Sequence, residues 1–360
     1  MDLNILILPG DGIGTEVTQE AVRVLSRIAE KFNHKVNSKE ALLGGIAIHK
    51  TGGPFPEETA KLALEADATL MGAVGLPEFD NWPPEKRPER GLLGIRKTLG
   101  VFANLRPVRS YPALLDSSPL KNHLVDGVDM IIVRELTGGI YYGTPRGIFG
   151  EGPDEYAINT MTYTRAEIER VTRMSFDLAR KRRKKVTNVD KSNVLENSQL
   201  WRKVVVEVAK DYPDVELDHL LVDNCAMQLV LNPKRFDMVL TENMFGDILS
   251  DEGAVLAGSI GMLPSASIGG KKPSGAWVGL YEPVHGSAPD IAGQNKANPL
   301  GAIGSVAAML EYSFGLMEEA AAVNAAVEKV LNAGRVTADL RPKGTPATTS
   351  EVGEAVCDAI

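Results

Sequence analysis

Thiols are nearly missing from this chain: Cys225 and Cys357 are the only cysteines in 360 residues. That scarcity excludes a disulfide framework and a thiolate zinc site. The five histidines are scattered, with no spacing suited to zinc. No apolar run approaches the length of a membrane span, so no membrane partner is expected. Met1-Asp2-Leu3-Asn4 lacks the basic segment of a secretory signal, and a cytoplasmic location is the expectation. Internal repeats and low-complexity tracts are absent as well. Positive charge is in deficit, with a net charge of -8, which argues against a general nucleic-acid binder. What remains is an ordinary globular composition, 44% hydrophobic and 24% charged. The length exceeds what one core usually serves, so two domains are expected.

The most informative stretch is Thr241-Glu242-Asn243-Met244-Phe245-Gly246-Asp247-Ile248-Leu249-Ser250-Asp251. It follows Phe236 to Leu240, an apolar run of strand length, and leads into residues with helical spacing. Asp247 and Asp251 are four apart, so a helix points both carboxylates from one face. Two adjacent anions repel, and a hard divalent cation such as Mg2+ or Mn2+ would relieve them. The plainer reading is two solvated acids, with Asp247 gaining from the helix N-terminus.

Near the start, Asn4 to Leu8 reads as a strand and Val17, Ala21, Val24 and Ile28 as a helix, with Thr15 as its N-cap. Between them lies Pro9-Gly10-Asp11-Gly12-Ile13-Gly14. Its G-x-G-x-G spacing misses the dinucleotide fingerprint G-x-G-x-x-G, so a tight turn that admits close backbone approach is the better reading. Ala68 to Val74 is a further strand, followed by an irregular loop through Pro84 that is long for a connection. On the helix from Glu89, the residues Glu89, Leu92, Leu93 and Arg96 share a face, an odd mixture for core. Arg106 and Arg134 adjoin apolar strands in the same way. Each alone suits a structural salt bridge, whereas together the three could clamp two carboxylates.

Lys191 and Asp223 also fall at the ends of apolar strands, where a side chain can project into a cleft. Ion pairing is one fate for such a lysine and proton acceptance another. The basic run Arg180 to Lys185 reads as a solvated helix end complementing the macrodipole, with a nucleic-acid patch as the alternative. Residues 140–160, rich in glycine, polar and aromatic residues, look like an arm or hairpin rather than core. Lys271 to Gly279 reads as a surface excursion, and Glu282 to Gly293 as a loop that lets backbone approach a ligand.

Taken together, Leu8 to Gly14, Asn104-Leu105-Arg106-Pro107, Val133 to Gly139, Val189-Asp190-Lys191, Gly246 to Asp251 and Glu282 to Asp290 resemble a known family over essentially the whole chain. It is the isocitrate/isopropylmalate β-decarboxylating dehydrogenase family, which also includes homoisocitrate and tartrate enzymes. The resemblance implies an α/β fold of two domains with mixed sheets, not a Rossmann fold. Residues 1–101 and 258–360 would form a discontinuous cofactor domain, and 102–257 the substrate and dimerisation domain. It further implies a homodimer with shared sites, in which Lys191, Asp223 and Val194 are supplied to the other subunit.

By the same resemblance, Arg96, Arg106 and Arg134 look like the substrate's carboxylate clamp. Asp223, Asp247 and Asp251 look like ligands of Mg2+ or Mn2+, with Asp223 also near the substrate. Lys191 resembles the base and Tyr141 the acid. Gly75, Glu89, Glu282, His285, Gly286, Ser287, Ala288, Asp290, Ile291 and Asn298 would meet the dinucleotide. A carboxylate accepts from a ribose 2′-hydroxyl and repels a 2′-phosphate, so Asp290 favours NAD over NADP. Leu92, Leu93 and Val194 offer apolar surface, and Glu89 would repel a third carboxylate. The expected substrate is therefore 3-isopropylmalate, against sister enzymes using tartrate, malate or homoisocitrate, and against a non-catalytic metabolite-binding relative. One departure is Lys271 to Gly279, longer than the family's usual connection.

Overall fold

In the computed structural model, residues 1–272 and 275–360 are described. Pro273 and Ser274, inside the excursion singled out above, lie outside the described residues. Strands run β1 (Asp2–Gly10), β2 (Lys35–Glu40), β3 (Ala68–Ala73), β4 (Ala103–Arg109), β5 (Asp129–Glu135) and β6 (Arg146–Phe149). They continue as β7 (Tyr156–Asn159), β8 (Lys185–Asp190), β9 (Glu216–Leu221), β10 (Met238–Thr241), β11 (Pro264–Lys271) and β12 (Trp277–Pro283). The chain divides into two compact units. One comprises Met1–Val101, Ser110–Pro119 and Ala257–Ile360, the other Phe102–Arg109 and Leu120–Leu256. Ser110–Pro119, which the expected boundaries gave to the 102–257 substrate domain, belongs instead with the chain ends: Ser117 Oγ donates to the Leu340 carbonyl at 2.6 Å.

In the first unit the strands lie in the order β2-β1-β3-β12-β11. All neighbours are parallel except β11, which runs antiparallel to β12. Parallel neighbours need crossovers, and helices of 3.6-residue amphipathic period supply them. Helix Gly14–Lys31 buries Val17, Ala21, Val24, Leu25 and Ile28. Thr15 does not cap it: the helix already includes Thr15, whose hydroxyl donates to the Gly12 carbonyl at 3.2 Å. Leu6, Leu8, Leu43, Met71, Ile95 and Leu280 form one buried cluster, against which half-buried Leu92 packs.

The second unit repeats the mixed pattern, in the order β4-β5-β10-β8-β9 with only β4 antiparallel. The register sets Thr241 beside Arg134 and Val189, and Asp190 beside Leu221. The ends of β5, β10, β8 and β9 therefore share one edge, where ligands of open α/β sheets bind. Trp201 is fully buried and donates its indole N–H to Asn188 Oδ1 at 2.8 Å, so no polar atom is stranded there. Helix Arg165–Arg180 starts with a capping box, Thr164 with Glu167. The basic run after it is met by acids: Arg180 pairs with Asp214, Arg182 with Asp129 and Asp237, and Lys185 with Glu216. The segment read as an arm is an exposed two-stranded hairpin, β6 against β7.

The glycine turn is explained by what surrounds it. Asp11, 3% exposed, accepts backbone N–H bonds from Gly45, Ile46 and Gly75, each at 2.8 Å. Gly12 has φ +55°, and a Cβ there would stand 2.0 Å from the Ser287 carbonyl oxygen, which also accepts from Ile13 N at 2.8 Å. The glycine thus serves the approach of one loop's backbone to another's. A buried carboxylate with three N–H donors is hard to replace, because an amide presents a donor where an acceptor is required. Asp11→Asn is expected to lower the unfolding free energy by about 2 kcal/mol. Urea denaturation checks it, and an unchanged midpoint would contradict this account of the turn.

Candidate active site

The second unit gathers its charged groups around helix Asn243–Leu256. Glu242, buried just before that helix, accepts from Met244 N at 3.0 Å and Phe245 N at 2.7 Å, occupying two of the donors that a helix start leaves open. Burial pushes the Glu242 carboxyl up from its ordinary range. Asp247 and Asp251 follow one turn apart, as the sequence spacing requires. Asp247 nevertheless lies past the first turn, so the helix N-terminus is not what holds its charge. Arginines hold it instead.

Gly246 makes that possible, since a Cβ there would stand 2.7 Å from both Cβ and Cγ of Arg134. The close approach brings Arg134 Nη1 onto Asp247 Oδ1 in a salt bridge. Arg134 Nε donates to Asn243 Oδ1 at 2.9 Å. Arg106, nearly buried, donates from Nε to Asn104 Oδ1 at 2.7 Å and from Nη1 to Ser250 Oγ at 2.6 Å. It also lies 3.4 Å from Asp251 Oδ1 and 3.8 Å from Asp247 Oδ1. Tyr141 OH donates to Asp247 Oδ2 at 3.0 Å. Desolvation first, and the Asp247 charge second, hold the Tyr141 phenol above its ordinary value. Tyr141, Arg106, Arg134, Asp247 and Asp251 therefore form one constellation.

Lys191 and Asp223 form another. The Lys191 ammonium lies on Asp223 Oδ1, and this hydrogen bond holds the Asp223 carboxyl below the usual carboxylate range. Asp223 is 63% exposed and Val194 61% exposed. Among the described residues, no cluster of three or more His, Cys, Asp and Glu could hold a metal ion. Asp223 is thus not brought to Asp247 and Asp251 within one chain. The two helix carboxylates alone offer hard oxygen donors, Asp251 with 63% of its side chain exposed, and that donor chemistry fits Mg2+ or Mn2+.

The first unit holds the remaining candidates. Arg96 and Glu282, both buried or nearly so, pair with each other. Arg96 Nε and Glu282 Oε2 have no hydrogen-bond partner. A Cβ on Gly75 would stand 3.4 Å from Glu89 Oε1 and 3.5 Å from Ser287 Oγ, so these three residues adjoin. His285 Nδ1 lies 2.8 Å from the Gly286 carbonyl, which can only accept, so Nδ1 carries the proton. Its Nε2 is then a buried acceptor without a partner, and burial holds the imidazole below its ordinary value. An orphan acceptor in this loop fits the amino edge of a nucleotide base. Ala288 takes φ +35°, and Ile291 N donates to its carbonyl at 3.1 Å. Gly286 and Asp290 are exposed. Asn298 is occupied internally: Oδ1 accepts from Leu300 N at 3.0 Å and Nδ2 donates to Asp339 Oδ2 at 3.0 Å.

Sequence reading missed Asn104, Asn243 and Glu242. Asn104 had a signal, being two residues before Arg106 on a strand and hence on its face. Asn243 and Glu242 had only their place before a helix. The family model described as isocitrate/isopropylmalate dehydrogenase matches residues 4–356. The 3-isopropylmalate dehydrogenase of Priestia megaterium is 57% identical over all of this chain and 96% of its own length. That of Aquifex aeolicus is 56% identical over 94% of this chain and 92% of its own. Among solved structures, isocitrate dehydrogenase from Methylococcus capsulatus matches with TM-score 0.86 at 34% identity, covering 99% of each chain.

His285 gives a test by pH. Its folded value is depressed, so the unfolded chain takes up the proton first. The contribution to stability is complete above the unfolded imidazole value of about 6.5 and is lost as pH falls through the folded value. His285→Gln is expected to lose less stability than the parent between pH 7 and about 5. Equal slopes in denaturant melts across that range would refute the assignment.

Proposed function

The chain belongs to the isocitrate/isopropylmalate dehydrogenase family, and from that premise we propose that it converts 3-isopropylmalate to 4-methyl-2-oxopentanoate and CO2 with NAD, a step of leucine biosynthesis. As a member it is a decarboxylating dehydrogenase, and membership implies a dehydrogenase cofactor and a metal. The observation that carries the substrate reading is helix Glu89–Leu99, which sets half-buried Leu92 and Leu93 beside Glu89 and Arg96. An isopropyl group suits the leucines, whereas Glu89 would repel a third carboxylate.

A bound metal ion would supply Lewis acidity at the C2 hydroxyl, and a bound dinucleotide would supply the hydride acceptor. Asp247 and Asp251, with Asp223 of a second copy, are the donors for Mg2+ or Mn2+. Arg106 and Arg134 hold the two carboxylates by charge-assisted hydrogen bonds, joined by Arg96. Lys191, as the neutral amine, would take the hydroxyl proton at Nζ and become the ammonium. The carboxylate on C3 then leaves as CO2, its bonding pair remaining as an enolate. Tyr141 delivers a proton to C3, and its raised value keeps it protonated for that role. Glu89, Gly75, Glu282, Gly286, Ser287, Ala288, Ile291 and Asn298 would line the dinucleotide, with His285 accepting from its base. Asp290 accepts from the ribose 2′-hydroxyl, so NAD is preferred to NADP.

A homodimer is part of the proposal, since Lys191, Asp223 and Val194 would complete the site of a second copy. Exposed apolar side chains support it: Met227, Val230 and Leu231 on helix Val222–Leu231, and Ile248 and Val255 on Asn243–Leu256. Contiguous exposed apolar surface marks an interface. The hairpin adds Ile148, Phe149 and Tyr156. No helix among the described residues is long and apolar enough to cross a membrane, and a cytoplasmic location accompanies the biosynthetic role.

Turnover with Mn2+ and NAD or NADP over 3-isopropylmalate, isocitrate, tartrate, malate and homoisocitrate tests the reading. NADH from 3-isopropylmalate is expected to dominate; better turnover of any other acid overturns the substrate. Lys191→Met should abolish turnover and spare ligand binding, and an unaffected rate would remove Lys191 from the chemistry. Ile248→Glu is expected to yield inactive monomer in sedimentation, while an active dimer would place the interface elsewhere.

A further inference from the structure

We infer that Asn243 is a positioning residue for Arg134, fixing the plane of the guanidinium that meets the substrate's carboxylate; the inference rests on the function proposed above. A guanidinium is planar, so a bond to Nε sets the direction in which both Nη groups face. Arg134 Nε donates to Asn243 Oδ1 at 2.9 Å. The amide itself is oriented without ambiguity: Nδ2 donates to the Gly138 carbonyl at 3.1 Å, leaving Oδ1 towards the arginine. Asn243 N donates to Tyr163 OH at 3.0 Å, and Tyr163 OH donates to Glu242 Oε2 at 3.2 Å.

Every member of that chain is buried. Glycine at 138 and 139 leaves room for the Tyr163 ring, since a Cβ would stand 2.6 Å from its Cε1 and 2.5 Å from its hydroxyl. Asn243 is therefore held at two points, its Nδ2 by the Gly138 carbonyl in the turn after β5 and its backbone N–H by the Tyr163 phenol, which Glu242 fixes in turn. A buried anchor held at both side chain and backbone aims a guanidinium more narrowly than the part-exposed carboxylate ahead of it can. Asp247 is 36% exposed and belongs to the ligand side of the arginine. Arg106 shows the same construction through Asn104 Oδ1 at 2.7 Å, which makes amide steering a repeated device of this unit.

The role predicts a split between substrate and dinucleotide. Asn243→Ala should raise KM for the 2-hydroxy acid about tenfold, the loss of one oriented charge-assisted bond. KM for the dinucleotide should stay within about twofold. A merely structural role would instead lower the melting temperature of Asn243→Ala and leave the substrate KM unmoved, which overturns the inference.

A second readout does not depend on the substrate's identity. In 15N-arginine-labelled protein, the Arg134 Nε–H signal, assigned with Arg134→Lys, should exchange slowly with solvent and lose that protection in Asn243→Ala. Unchanged exchange overturns the inference even where the substrate panel bears out the proposed function. Lost protection upholds it even where the panel finds another acid.

Discussion

The arrangement in the second unit depends on one electrostatic fact: an aspartate carboxylate on a helix is neutralised from two strands. Asp247 meets Arg134 of β5 and Arg106 of β4, with the Tyr141 hydroxyl on its second oxygen. Partly buried charge is tolerated only when paired and hydrogen-bonded. Each arginine is in turn fixed at Nε by an amide, so the pairing is directional as well as coulombic. Gly246 is required for that geometry, because any side chain there would occupy the space of Arg134. Helix, strand end and cation are thus specified together, and none can be moved alone.

The first unit solves a different problem, that of holding several loops in contact without a regular ladder. Asp11 accepts N–H bonds from two other loops while the Ser287 carbonyl accepts from Ile13. The loop that carries His285 and Ser287 is thereby tied to the turn after β1. Backbone groups that a loop leaves open must find partners, and here a carboxylate and a carbonyl supply them. The consequence for function is that the orphaned Nε2 of His285 has a fixed address. A ligand arriving there meets a preformed acceptor and gives up less conformational freedom than a mobile loop would demand.

Much of this was legible in residues alone, for identifiable reasons. The i, i+4 spacing of Asp247 and Asp251 is geometry that any helix must honour, and the strand ahead of them was evident from its apolar run. Arg106 and Arg134 stood out because a cation beside buried apolar strands needs a partner. The identity of that partner was not legible, as it lies 113 residues from Arg134. The same holds for Arg96 and Glu282, 186 residues apart, which the sequence reading had given to separate ligands. Thr15 misled because a threonine near a helix start resembles a cap, whereas the helix had begun at Gly14 and left it inside.

The glycine turn carries the argument one step further. Its G-x-G-x-G pattern signals only that backbone must pass close to something, and sequence cannot name what. Here the neighbour of Gly10 is the Ala73 carbonyl and that of Gly12 the Ser287 carbonyl, each 2.0 Å from where a Cβ would stand. Close approach to phosphate and close approach to backbone impose the same demand on the residue type. A glycine pattern is therefore evidence of crowding before it is evidence of a ligand. The ligand must be argued from groups left unsatisfied: among the described residues of this unit these are Glu16 Oε2, Thr18 Oγ1, Thr69 Oγ1, Arg96 Nε, Glu282 Oε2 and His285 Nε2, and the last three belong to residues that the resemblance gives to a ligand. Two acceptors and one donor, buried and unpartnered, define the chemistry that a bound molecule has to complement.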